Sequence, residues 1–163
     1  MSRLRKARIR KLRIAELVPL QRLIYQTIDV CYSGVYPPRA VRFFKEFHSE
    51  EAIRGRHRTG EILVVEQDGD LVATGTIVGN DIFGVFVSPG LQRQGIGKAL
   101  MAELENRAKA RGCSELELSV SLPSKRFYES LGYEMIQKCS IDLGEGQQLV
   151  YWKAKNPLTR PAP

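Results

Sequence analysis

At 163 residues, 43% of them hydrophobic, the chain has the length and apolar content of one globular domain with its own core. No apolar run approaches the roughly 20 residues of a membrane-spanning helix, and the N-terminus lacks the apolar stretch of a signal peptide, so neither a membrane span nor secretion is expected. The net charge of +7 is local: seven of the 25 basic residues, Arg3 to Arg13, precede the first acid, Glu16, which leaves 18 to match 18 acidic residues in the body.

Such a basic arm can touch nucleic acid or an anionic surface, or run solvated into a first strand. No aromatic residue interleaves with its charges, so it is no stacking platform for single strands, and the neutral body argues against nucleic acid as a partner. Cys31, Cys113 and Cys139 are an odd number without metal-like spacing; they imply a reducing cytoplasm, mostly buried thiols and no metal site.

The elements follow in order. Arg8 to Ile14 reads as an edge strand with Ile9, Leu12 and Ile14 as its apolar positions. Ala15 to Tyr32 carries Leu17, Leu20, Leu23 or Ile24, Thr27 and Ile28 at helical spacing, with Pro19 tolerated in the first turn. A loop through Pro38 precedes a second helix, Arg39 to Phe47. Ser49-Glu50-Glu51 opens a further short turn, and Arg54 to Gly60 reads as an exposed link. Glu61 to Glu66, the hairpin signal Asp68-Gly69, and Leu71 to Val78 form two antiparallel strands. Gly79-Asn80 turns into a third, Asp81 to Val87.

Ser88-Pro89-Gly90 stops that strand, and Gln92-x-x-Gly95-x-Gly97 opens a helix with Ile96, Leu100, Leu104 and Ala108 on one stripe. Glu103/Arg107 and Glu105/Lys109 pair along its outside. Glycines in the first turn let a ligand approach the backbone, and the first N–H groups of a helix lack internal partners and carry the positive dipole end. Together they make a place for a phosphate or diphosphate. The pattern is not a Walker loop and lacks the first glycine of a dinucleotide fingerprint. Beyond it, Glu115 to Val120 alternates as a strand, parallel to Asp81 to Val87 because a helix joins them. A short helix runs from Pro123 to Leu131, and Tyr133 to Ser140 and Gln147 to Lys153 are two final strands. One domain, 1–163, is expected, with 1–7 as basic arm and 156–163 as frayed tail.

This order, with Val85-Phe86-Val87 before Gln92-x-x-Gly95-x-Gly97 and with Phe127-Tyr128-Glu129-x-Leu131-Gly132-Tyr133 downstream, resembles the GNAT superfamily of N-acetyltransferases over nearly the whole chain. The resemblance implies an α/β (α+β) fold: a mixed, mostly antiparallel sheet of about seven strands flanked by helices, with a splayed central parallel pair. It implies acetyl-CoA as cosubstrate. Backbone N–H groups from Gln92 through Arg93, Gln94, Gly95, Ile96 and Gly97 to Lys98 would hold its diphosphate, and Val85, Phe86 and Val87 would run beside the pantetheine. The N–H of Val85 is the candidate support for the thioester oxygen, with Gly84 as a bulge. Where many members carry Asn and Ala before the tyrosine, this chain has Ser121 and Ser124, and Ser121 keeps hydrogen-bonding capacity toward the cofactor.

The resemblance also assigns Tyr128 as proton donor to the departing CoA sulfur. Asp81 occupies the place of a catalytic carboxylate in histone-type members; as a residue of the Asn80-Asp81 turn it needs no such role. No cysteine has the setting of a nucleophile, so direct attack by a primary amine, of a small molecule or a peptide, in a ternary complex is expected. The alternative is a non-catalytic acyl-CoA-binding regulatory module. Tyr32, Tyr36, Phe43 and Phe44 line an acceptor groove or belong to the core, and a homodimer is left open.

Overall fold

Strand β2 (Glu61–Gln67) reports how the sheet is covered. Ile62 and Val64 belong to one hydrophobic cluster and Leu63 and Val65 to another, and all four are buried. A strand whose successive side chains alternate faces reads this way only when both faces are packed. The computed structural model describes residues 6–158. Besides β2 it contains β1 (Ala7–Lys11), β3 (Asp70–Val78), β4 (Asp81–Val87), β5 (Glu115–Ser121), β6 (Glu134–Asp142) and β7 (Gln148–Pro157). They form one seven-stranded sheet in the order β1-β2-β3-β4-β5-β7-β6, antiparallel except for β4 and β5.

Helices α1 (Leu17–Tyr32), α2 (Pro38–Phe47) and α3 (Glu50–Thr59) cover one face; α4 (Ile96–Ala110) and the short α5 (Lys125–Ser130) cover the other. Leu20, Ile24 and Ile28 of α1 pack over Ile62, Val64 and Phe86. Leu100, Met101 and Leu104 of α4 pack over Leu63, Ile77 and Leu116. Each such side chain, fully buried, contributes about 1.5–3 kcal/mol. Among the described residues no helix is long and apolar enough to cross a membrane.

Several expectations change. The link expected at Arg54 to Gly60 is mostly α3: Ser49 caps it by accepting from Ala52 N–H at 3.2 Å, Ile53 anchors it, and its last turn carries Arg56, His57 and Arg58 at the negative dipole end. β1 stops at Lys11, and Ile14 opens a 3-10 turn while Leu12 remains buried. Arg10 and Lys11 of the basic run are not free: Arg10 clamps Glu16 and Glu66, and Lys11 meets Glu61. The run's first residues, 1–5, lie outside the described residues. The expected tail begins as strand, since β7 runs to Pro157 and Leu158, buried, donates its N–H to Ser114 at 2.8 Å; residues 159–163 lie outside the described residues. The three cysteines are free and half-buried rather than buried. Glu105 accepts the Tyr133 hydroxyl at 2.9 Å.

Candidate active site

The site begins with an irregularity in β4. Thr76 pairs with Phe83 and Thr74 with Phe86, so Gly84 and Val85 together oppose the single residue Gly75. This is a β-bulge, and Gly84 takes φ +62°, a backbone conformation that suits glycine. A Cβ there would also lie 3.0 Å from Cε1 of His48. Parallel pairing of β4 with β5 ends after Ile82↔Leu118, while β5 continues along β7 to Ser121↔Tyr151. The two central strands therefore splay, and the rest of β4 presents a main-chain edge that β5 does not cover.

At the end of that edge the chain turns into α4. Gly95 is the N-cap at φ +87°, Arg93 is left-handed at +63°, and no side chain caps the helix. Its first internal bond runs from Ala99 N–H to Gly95 O at 3.0 Å, which leaves the N–H groups of Ile96, Gly97 and Lys98 without intrahelical partners. Gly97 lets Phe127 of α5 pack against this turn, since a Cβ would stand 3.2 Å from its Cζ. The Gln92 side chain donates to Val87 O at 3.1 Å and pins the loop to the strand.

Two cavities open here. A groove of about 640 Å³ follows β4 to the helix start, with Arg93, Lys98 and Arg126 supplying positive charge. A pocket of about 220 Å³ lies between α1, α2, the β4 bulge and β7. Both are lined by Tyr32, Val85, Phe86, Ser124 and Tyr128, so they meet at the bulge. Of the residues expected around the cofactor, Val85, Phe86, Val87, Gln92, Arg93, Gly95, Gly97 and Lys98 line the groove, and Gln94 and Ile96 do not. Ser121 lines the smaller pocket instead and shares a 2.9 Å hydrogen bond with Ser124, which reaches both.

Tyr128 is buried, and burial, with Tyr32 beside it, raises its pKa above the usual phenol value. Tyr32 is raised by burial as well, against hydrogen bonds with Ser121 and Ser124. Both hydroxyls therefore hold their protons. Asp81 is exposed at the far end of β4, in register with Glu117, and lines neither cavity. Burial first, then Glu117, raises its carboxyl pKa. Three residues, the bulged Gly84 among them, separate it from Val85, a path of at most about 13 Å along the strand.

Of the aromatic residues expected in a groove or in the core, Tyr32, Phe43 and Phe44 line the smaller pocket and Tyr36 does not; His48 and Arg126 had no assigned role in the sequence. His48 is buried, and burial followed by the charge of Arg56 pushes its pKa down to about 3. Arg56 Nη1 lies 2.9 Å from His48 Nδ1, and Nη2 donates to Phe47 O at 2.6 Å. Its guanidinium stacks on Phe47 and Phe83, 4.4 and 4.7 Å from their ring centres.

Solved structures share this architecture. A GCN5-related N-acetyltransferase from Rhodopseudomonas palustris superposes with a TM-score of 0.85 at 18% identity, covering 97% of this chain and 100% of its own. The PaiA N-acetyltransferase from Thermoplasma acidophilum, in complex with coenzyme A, gives 0.74 at 21% identity, covering 93% and 99%. The ribosomal-protein-alanine N-acetyltransferase from Brucella melitensis gives 0.71 at 19%, covering 93% and 99%. At these identities the likeness is one of fold. The sequence itself matches the family model "Acetyltransferase (GNAT) domain" over residues 29–144, a span from the end of α1 to the turn before β7 that includes the bulged strand, the glycine loop and Tyr128. With that span and that fold, the chain belongs to the GNAT acetyltransferases, the enzymes that take acetyl groups from acetyl-CoA.

Proposed function

We propose that the protein transfers the acetyl group of acetyl-CoA to a primary amine by direct attack within a ternary complex. The observation that carries this reading is the meeting of a basic groove and a smaller pocket at Val85, Phe86, Tyr32, Ser124 and Tyr128, which lets donor and acceptor touch without a covalent enzyme intermediate. The diphosphate rests against the N–H groups of Ile96, Gly97 and Lys98, where the α4 dipole is positive and Arg93, Lys98 and Arg126 add charge. Gln92 and Gln94 flank this loop, and Ser121 acts through Ser124. The pantetheine adds along the open edge of β4 by strand-like pairing. The relative solved with coenzyme A supports a CoA ligand for this fold.

In the reaction the amine lone pair forms the C–N bond, the thioester oxygen takes negative charge, and the C–S bond breaks with its electron pair going to sulfur. Val85 N–H supports the oxygen, and Tyr128 gives the sulfur its proton. A phenol above 10 donates uphill to a thiolate whose thiol lies near 8.5, by about 2 kcal/mol or more. The acidic N–H proton of the adduct, returned to Tyr128, makes the exchange downhill. Asp81, which lines neither cavity, would reach the reacting groups only through water and takes no step here.

Thiol release from acetyl-CoA, followed across a panel of amines, tests the proposal. Tyr128→Phe should lower kcat by about 10²-fold or more while the Kd for acetyl-CoA holds. Unchanged kcat would remove Tyr128 as donor. Tight acetyl-CoA binding with no turnover of any amine would leave a non-catalytic acyl-CoA-binding module.

A further inference from the structure

The acceptor pocket has a chemistry of its own, and what it selects rests on the transferase reading above. Its walls are aromatic: Tyr32 and Phe44 meet edge to face at 4.8 Å, His48 and Phe86 at 5.2 Å, Phe47 and Phe83 at 6.2 Å. Among the described residues lining it there is no Asp, Glu, Lys or Arg. Its titratable groups are Tyr32 from α1, His48 between α2 and α3, Tyr128 from α5 and Tyr151 from β7.

None of them offers a lone pair basic enough to accept an ammonium proton. The three phenols are held protonated, each shifted upward by burial first. His48 is closed by geometry. A guanidinium can only donate, so Nδ1 must accept from Arg56 at 2.9 Å, and the imidazole hydrogen then sits on Nε2. No ring lone pair remains free. Behind that wall stands the positive charge of Arg56, which disfavours a second cation.

We propose that the acceptor is a weakly basic aromatic amine of the aniline type, carrying a single ring, which enters already neutral. A lysine-like amine at pH 7 is neutral in only about one molecule in 10³, and a pocket without a base does nothing to raise that fraction. An aniline is largely neutral at the same pH. The pocket, about 220 Å³, exceeds the roughly 150 Å³ of an apolar cavity that takes benzene, so one substituted ring fits. Its edges and faces meet Tyr32, Phe44 and Phe86 in the arrangement those rings already adopt among themselves. The arylamine lone pair forms the C–N bond, sulfur leaves with the C–S electron pair and a proton from Tyr128, and the proton shed by nitrogen restores Tyr128. The products are an N-aryl acetamide and the CoA thiol.

The experiment uses the full chain, acetyl-CoA and thiol release at pH 6–9 with aniline, cyclohexylamine and a lysine-containing peptide. The expected result is a kcat/KM for aniline that is flat across this range and at least about tenfold above that of cyclohexylamine at pH 7, with cyclohexylamine climbing about tenfold per pH unit. A preference at pH 7 for cyclohexylamine or the peptide overturns the acceptor class and leaves the transferase reading intact. Tightest binding of cyclohexylamine where it is fully ionised, the signature of cation–π capture, overturns the acceptor class in the same way. Bound acetyl-CoA with no turnover of any amine overturns both.

Discussion

The imidazole of His48 links stability to the aromatic pocket that it lines. It is 4% exposed, its pKa is pushed down to about 3 by burial and then by Arg56, and Arg56 itself is lowered by burial to about 10. The folded pKa lies below the unfolded value near 6.5, so the unfolded chain takes the proton first. His48 therefore costs nothing above pH 6.5 and progressively destabilises the fold as pH falls from there toward 3. By pH 5 the loss should be about 1–2 kcal/mol. Urea unfolding between pH 7.5 and 5 checks this: His48→Phe should flatten the slope, and an equal slope in both proteins would place the titrating group elsewhere. The His48–Arg56 contact was not legible in the sequence, because Arg56 stood in a stretch that read as a link.

At the scale of elements, α3 shows how a charged helix escapes a sequence reading. Only Ile53 is buried, so the apolar period is too sparse to register. The helix is held by its ends: Ser49 caps the first turn, Glu50 pairs with Arg54 at 3.0 Å, and the basic last turn opposes the dipole. Ser49→Ala should cost about 1 kcal/mol in chemical denaturation, and no change would mean that packing alone sustains the helix. β4 is the opposite case, since strand, breaker and glycines lie within a few residues and each signal is local. Gly84 at the bulge is its sensitive point. Alanine there must adopt φ +62° and meet Cε1 of His48, with a stability loss of about 1–2 kcal/mol. Because the bulge also aims Val85 at the meeting of the cavities, kcat should fall in the fraction that remains folded. Intact kcat per folded molecule would separate the bulge from the chemistry.

Across the whole molecule, Arg10 ties the first strand to two other elements. It reaches Glu16 at the entry to α1 at 2.8 and 2.6 Å, and Glu66 of β2 at 3.3 Å. The hydrogen bond from Arg10 lowers the Glu16 carboxyl to about 2. Since that folded pKa lies below the unfolded one, the stabilisation is complete above about 4.5 and is lost as pH falls from 4.5 toward 2. The pair is partly exposed, so about 1–2 kcal/mol is at stake. Glu16→Gln should remove that much at neutral pH and almost nothing near pH 2, and thermal melts at both pH values would show it; an equal deficit at both would deny the ion pair. The run of basic residues could be counted in the sequence, but not which of them would find carboxylates. By itself the sequence determined the strand order around the glycine loop, the amphipathic α4 and the tyrosine helix, because a strand ending in Ser-Pro-Gly and a helix opening on glycines are decided by backbone sterics within a few residues. Tertiary structure alone decided the aromatic pocket beside the bulge. Its walls come from α1, α2, the bulge and β7, and it closes through contacts such as Tyr36, which donates to Val150 O at 2.7 Å and accepts from Leu122 N–H at 2.9 Å. No local pattern encodes such contacts, since the same aromatic residues fill a core or line a cavity according to what the sheet brings opposite them.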